Sequence, residues 1–373
     1  MALQLTAQHT SIKRASSLTT GCLLAAATLL TACSTYTVRP ADSSGEPPVA
    51  RTINEGEPVV TAKMASAREE LGRMVALQDR LYRIAAPLLI NNVDLCRAQA
   101  RSLLGFTAKN RYSYSGEYVD AASAVLNYGD RLEVASVLAG SGAAKAGLKK
   151  GDILLAAEGK SLPTGANAET QAATILGPLA SSSQALNLIV ERNKANVALK
   201  LPVTRACAFK IDIGNADNIN AYSDGQRVMI TRGMVSFAQS DEAIAYVLAK
   251  DMAHNILGHA ATTRSAYTVG SIIDNLIAIR PDLSMLIGSA GVKPMPQELD
   301  AAADRLALYL VARAGYSTAG ARAFWQRLAT QYPATVLNGY TANHPAVSFR
   351  LAAIDKAVAE IKSKQASNKP LTP

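Results

Sequence analysis

The chain has 373 residues, 38 Lys and Arg against 29 Asp and Glu, and a formal net charge of +9. That length accommodates two domains with cores of their own. The positive balance suits a surface near anionic lipid or a polyanionic cell wall, while the lack of a dense basic run interleaved with aromatics excludes nucleic acid as a partner.

The N-terminal segment carries Lys13 and Arg14 and no acidic residue, then an apolar run from Gly21 to Leu30, then Leu30-Thr31-Ala32-Cys33. A positive start, a short apolar run and small residues ahead of a cysteine form a secretory signal that ends in a lipobox over residues 1–33. The small residues fit a narrow peptidase cleft, the Cys33 thiol takes a diacylglycerol, and cleavage makes Cys33 the new N-terminus. A transmembrane anchor is the weaker alternative, because the run falls well short of the roughly 20 residues a bilayer requires. Cys22 is a poor competitor: Thr19 stands where a lipobox carries Leu, and the apolar run follows it. Ser34 is of the type that permits sorting onward, so the expected location is the outer membrane of a bacterial envelope, anchored by lipid and facing the periplasm. Residues 34–60 are rich in Pro, Ser, Gly, Thr and Glu without an apolar period and read as a flexible tether. No later stretch is apolar for long enough to cross a membrane.

From Ala62 to Asn91, Leu71, Met74, Leu77, Leu81, Ile84 and Leu88 recur at helical spacing and predict a long helix, assigned to a segment 61–95. Cys96 and Cys207 remain once Cys33 is lipidated. In an oxidising compartment two such cysteines most often pair; free thiols or a metal role are the alternatives, and neither has a CxxC or Cys/His neighbour in support.

Within 96–207, Leu132 to Leu138 alternates as a strand and leads into Gly140-Ser-Gly-Ala-Ala-Lys-Ala-Gly-Leu-Lys-Lys-Gly-Asp152, followed by strand-like Leu186 to Arg192 and Ala198 to Val203. This resembles the PDZ domains of bacterial envelope proteases, with Gly142 at the usual Pro position and Glu158 where Asn is common. The resemblance implies a peptide added as a strand to a sheet edge, its terminal carboxylate held by backbone N–H groups. Leu104-Gly105-Phe106 then stands as the carboxylate loop or as an ordinary strand with a glycine bulge; a helix-like segment, Ser115 to Asn127, separates it from the next strand.

After Cys207 come Phe209-Lys-Ile-Asp-Ile, Asn218-Ile-Asn220-Ala221-Tyr222, Gly225 to Met234, Asp241 to His254, Asp300-Ala-Ala-Ala-Asp304-Arg, Ala312-Arg-Ala-Gly-Tyr, and His344-Pro345 with Arg350. In that order they resemble the HtpX-like and CAAX-prenyl-endopeptidase-like zinc metallopeptidases over about residues 60–95 and 208–358. In such proteins HExxH puts two zinc-binding histidines one helical turn apart with a glutamate between them as general base, and a glutamate of a later ExxxD is the third ligand. Carried over, Lys250 takes the first histidine's place, Asp251 the base, His254 the second histidine, Asp300 the third ligand and Asp304 the supporting aspartate. His344 and Arg350 match an element near the cleft, and Asn220 and Ala221 a substrate-binding sheet edge.

The departures bear on zinc. An ammonium at position 250 offers no lone pair and repels a dication, and Asp251 and Asp300 are each a methylene shorter than glutamate. The economical expectation is a salt-bridged remnant in which Lys250 occupies the place of the metal charge and pairs with Asp300 or Asp251. His259 is expected as a helix-end histidine opposing the helix dipole rather than as a ligand. Helices are predicted at Ala303 to Ala314, Ser317 to Tyr332 and Ser348 to Ile361, with a tail over 362–373 and a cleft-covering segment from Asp274 to Pro296.

The fold class expected is α+β: a mainly helical, gluzincin-like metallopeptidase domain with a small sheet, at 61–95 and 208–361, interrupted by a mostly β PDZ domain. Two functions follow from it. One is a binding module that captures extended or C-terminal segments of envelope proteins without cutting them; the other is a zinc endopeptidase with a variant site, using Asp251 as base and His254 and Asp300 as ligands.

Overall fold

The computed structural model describes residues 60–259, 266–284, 294–335 and 339–373; Cys33, Ser34 and the expected signal and tether before Val60 lie outside the described residues. Thr61 opens α1 (Ala62–Ile90) by accepting a hydrogen bond from the Met64 N–H. Leu71, Met74, Leu81, Ile84 and Leu88 are buried along one face, as their spacing predicts. Just past the helix, the buried Asn92 donates to the carbonyls of Leu88 and Leu310, at 2.9 and 3.0 Å, and so ties α1 to a much later segment.

An insert follows, built of β1 (Ala100–Leu103), β2 (Phe106–Lys109), α2 (Tyr118–Leu126), β3 (Glu133–Val137), α3 (Gly142–Lys145), β4 (Ile153–Ala157), β5 (Lys160–Ser161), α4 (Ala168–Ser182), β6 (Ala185–Arg192), β7 (Ala195–Pro202) and β8 (Thr204–Cys207). Its main sheet runs in the order β2-β3-β4-β6-β7 with β5 beside β4, so β2 lies at an edge. Leu186, Leu188 and Val190 alternate inward on β6 and share a core with Ala168, Ala172 and Leu176 of α4. β7 starts earlier than Ala198 because Asn193 and Lys194, both at positive φ, make the two-residue turn that lets β6 and β7 pair in full. Gly142 has a structural reason to depart from Pro: its N–H donates to Thr204 Oγ1 at 2.8 Å, a bond Pro lacks, and a Cβ there would run into the Pro202 carbonyl. Asp152 is buried and answered by the Lys149 N–H and by two hydrogen bonds from Arg192, each at 2.6 Å. The ends of the insert close on each other: β1 pairs antiparallel with β8, and Cys96 and Cys207 form a disulfide with Cα atoms 5.6 Å apart.

The remainder contains a three-stranded sheet, β9 (Lys210–Gly214), β10 (Ala221–Ser223) and β11 (Arg227–Thr231), in the order β10-β11-β9 with β9 and β11 parallel. Gln78 of α1 closes the outer edge of β9: its amide donates to the Ile211 carbonyl and accepts from the Ile213 N–H, both at 2.9 Å. Helices α5 (Arg232–Ala238), α6 (Asp241–Leu257), α7 (Ala266–Leu276), α8 (Gln297–Arg313), α9 (Ala321–Gln331), α10 (Gly339–Asn343) and α11 (Ser348–Ala366) complete it. α6 is buried almost all round, with α1, α8 and α9 contributing to the same core. No described helix is long and apolar enough to cross a membrane.

Two helix boundaries also differ from expectation. α8 begins at Gln297, six residues before Ala303, because the acidic residues Glu298 and Asp300 favour a helix's first turn and escape a count of apolar positions. α11 continues past its last buried residue, Ile361, through good helix formers to Ala366, so the segment 362–373 is not simply a tail; Arg313 and Lys364 hold its end through the carbonyls of Leu371 and Thr372. In the segment expected to cover a cleft, Leu276 and Ile279 meet Asn215 through their backbone carbonyls, and residues 285–293 lie outside the described residues.

Replacing both Cys96 and Cys207 with Ala is expected to cost about 3 to 5 kcal/mol, because the bridge closes a loop on the order of a hundred residues. Urea denaturation measures this, and an unchanged midpoint would mean that the β1–β8 pairing suffices.

Candidate active site

Ser240 caps α6 by accepting from the Ala243 N–H, Asp241 and Glu242 favour its first turn, and Gly258 ends it in the left-handed conformation. The helix turns Lys250, Asp251 and His254 into the interior, all three at most 3% exposed. α8 faces it with Asp300 and Asp304, one turn apart on one side. The C-terminal segment supplies His344, just after α10, and Arg350 in the first turn of α11; both are buried.

Asp300 is the hub. Its Oδ1 lies 2.7 Å from Lys250 Nζ, 2.8 Å from His344 Nδ1 and 3.2 Å from His254 Nε2. Lys250 also donates to Asp304 Oδ1 at 3.1 Å. Arg350 grips Asp304 through Nε and Nη2 and donates from Nη1 to the His344 carbonyl at 2.9 Å. Trp325 of α9 lies under both cations, 5.3 Å from Lys250 Nζ and 5.0 Å from the Arg350 guanidinium carbon, and stacks on Tyr340. Two cationic and two acidic side chains thus neutralise each other out of contact with water.

The other titratable groups adjust to that arrangement. Burial would raise the Asp300 carboxyl, but the Lys250 ammonium and His344 outweigh it and hold it far below the usual carboxylate range. Burial lowers His344 to about 4 despite Asp300, so the ring is neutral near pH 7. Asn343 Nδ2 lies 2.9 Å from His344 Nε2 and can only donate, which leaves the His344 proton on Nδ1, aimed at Asp300. Burial also lowers His254, and it takes His259 to about 4. Asp251 goes the other way: burial pushes it up to about 7 against a hydrogen bond from Ser223 and the pull of Lys250.

A zinc ion would find some of its requirements in this geometry. Ligand atoms of His254, Asp300 and His344 lie within 4.8 Å of one another, and His254 Nε2 has no aligned hydrogen-bond partner among the described residues. These features alone would suit a metal. The Lys250 ammonium, however, sits on the Asp300 oxygen that both histidines approach, and His344 Nδ1 carries a proton rather than a lone pair. With Lys250 charged, the residues do not fit zinc.

Several expectations need correction. Of the two acids expected for Lys250 it pairs with Asp300, and it also reaches Asp304, which was not expected, while Asp251 Oδ2 has no hydrogen-bond partner among the described residues. His259 is neutral and lies 3.0 Å, Nδ1 to Nδ1, from His254, so it does not oppose the helix dipole with a charge. On β10, the Ala221 N–H is taken by the Asn220 side chain at 2.9 Å, so this donor is not offered to a peptide. Leu104, Gly105 and Phe106 lie in the insert. Gly105 has φ of +77°, its carbonyl accepts from Leu138, and Leu104 and Phe106 pack on the insert's own core. Sequence reasoning missed Trp325, Tyr340 and Asn343; Trp325 reads as one more apolar position of a helix, and only its being the single tryptophan sets it apart.

A buried helix with a histidine, an acid and a third polar side chain is met by carboxylates one turn apart on a second helix and closed by a histidine and an arginine, the order of residues in which the sequence resembles metallopeptidases. Residues 180–358 match the model described as Peptidase family M48. The chain is also 24% identical over 147 residues to the mitochondrial metalloendopeptidase OMA1 of Schizosaccharomyces pombe (strain 972); the alignment covers 38% of this chain and 44% of that protein, less than half of its length.

Asp251 yields a prediction with a definite sign. Its folded carboxyl keeps a proton up to about 7, whereas an ordinary carboxyl loses it near 3.8, so the stability this group contributes falls as pH rises through that interval. Asp251→Asn cannot ionise. Its stability relative to the parent should therefore rise between about pH 5 and about pH 8, by on the order of 2 to 3 kcal/mol, in urea titrations at both values. A difference independent of pH would mean that Asp251 ionises normally.

Proposed function

We propose that this protein is a lipid-anchored, periplasm-facing member of the zinc metallopeptidase type that binds peptide segments of envelope proteins, with proteolysis weak or lost. The observation that carries this reading is the Lys250 ammonium 2.7 Å from Asp300, at the position of the first zinc-binding histidine. Its charge replaces part of the metal's, which lets α6, α8 and α11 keep their packing without an ion. The insert, read as a PDZ domain, supplies the binding function: β2 ends its sheet, and an extended segment can add along that edge. Lipid on Cys33 and sorting to the outer membrane accord with the lipobox and Ser34.

A second reading, an active endopeptidase with a variant site, draws on the proximity of His254, Asp300 and His344 and on Asp251, whose carboxyl near 7 suits a general base. It requires Lys250 to give up its place beside Asp300.

Elemental analysis after mild dialysis separates the two. The parent chain is expected to hold far less than one zinc per molecule and to leave an unfolded envelope protein uncut, while a Lys250→His, Asp251→Glu, Asp300→Glu chain takes up close to one. Near-stoichiometric zinc in the parent, with cleavage abolished by a chelator, would favour the variant enzyme.

A further inference from the structure

A cavity of about 980 Å³ lies between the insert and the peptidase-type part, bordered by α1, β2, β3, β9 and the segment after α7. It is separate from the Lys250 cluster, and the function proposed above makes no use of it. Leu71 and Met74 of α1 and Phe209, Ile211 and Ile213 of β9 line it with hydrocarbon. Tyr82, Tyr114 and Tyr128 add three phenols whose hydroxyls have no hydrogen-bond partner among the described residues. Burial raises Tyr82 and Tyr114 to about 12 and pushes Tyr128 up as well, so all three remain donors across the physiological range.

Among the described residues, most charged groups at the rim are paired, and the exceptions are Lys109 and Glu169, the latter accepting only from the Ser113 hydroxyl at 2.8 Å. Arg280 meets Glu70 and Glu117, Lys63 meets Glu117, and Lys210 lies 3.5 Å from Asp212. Lys109 has no ion pair among the described residues; its ammonium lies 5.2 Å from the centre of the Tyr114 ring, which is stacked on Tyr128. A partly buried ammonium held only by a ring face gains from a hydrogen-bonding anion. A single free cation with Glu169 and Asp212 in the surroundings matches one negative charge better than the two of a phosphate monoester.

We infer that this cavity binds a small amphipathic carboxylate, with its head on Lys109 beside the Tyr114 and Tyr128 hydroxyls and its apolar body against α1 and β9. The volume is within the range of ligand pockets, about 300 to 1,000 Å³. Two sources carry this chemistry: a free medium-chain acid and the C-terminus of a short apolar peptide.

Calorimetric titration of the full chain, in detergent-free buffer, tests the assignment. The probes are decanoate, 1-decanol, an N-acetylated apolar tetrapeptide with a free C-terminus, and its C-terminal amide. At least one acid should bind, its neutral counterpart on the order of tenfold more weakly, and Lys109→Met should weaken the acid to a similar degree. Tyr114→Phe, which keeps the ring, should weaken it severalfold. Binding of decanoate alone or of the peptide acid alone identifies the source. Because the PDZ reading also predicts capture of a peptide C-terminus, peptide binding counts for the cavity only if Lys109→Met weakens it. If neither acid binds a chain whose circular dichroism is that of a folded protein, or if Lys109→Met binds as tightly as the parent, the assignment is overturned.

Discussion

The contact between Lys250 and Asp300 is the constraint on which the peptidase-type half depends. Two acids on α8 face the interior of a helical core, where an uncompensated carboxylate would be costly. Arg350 answers Asp304, and Lys250 answers Asp300 while also reaching Asp304. With charge balanced by side chains, His254, His259 and His344 can stay neutral, and burial favours that state. Asp251 has no such partner and is driven toward its protonated form.

The same constraint links the site to the fold. Three elements far apart in sequence, α6, α8 and the start of α11, are drawn together by a few charge-assisted hydrogen bonds, and Trp325 fills the space beneath the two cations. The insert stands outside this network. Its ends are closed by the β1–β8 pairing and the Cys96–Cys207 disulfide, so it keeps its own core. It meets the other half along α1, where Asp79 binds Lys150 and Ser136, beside the cavity that Lys109 enters.

Much of this was legible in the residues. The apolar spacing of α1 marked a buried face, alternation marked β3 and β6, and the order of motifs after Cys207 marked which side chains would converge. Lys250 could be seen to conflict with a dication from its chemistry alone. Which acid it meets could not, because Asp251 is adjacent in sequence but points to Ser223, while Asp304 lies on another helix. The neutrality of His259 was hidden for a related reason: a helix-end position suggests a charge, but burial beside His254 removes it. The roles of Trp325 and Asn343 depend on packing between segments that no local pattern encodes.

A double-mutant cycle on Lys250 and Asp300 tests the central claim most directly, with stability read from urea denaturation. Lys250→Met alone is expected to cost about 3 to 5 kcal/mol, since it strands a buried carboxylate, and adding Asp300→Asn should recover much of that loss, leaving a coupling of roughly 2 kcal/mol or more. Strictly additive effects of the two substitutions would contradict the account, for they would mean that the ammonium and the carboxylate do not depend on each other.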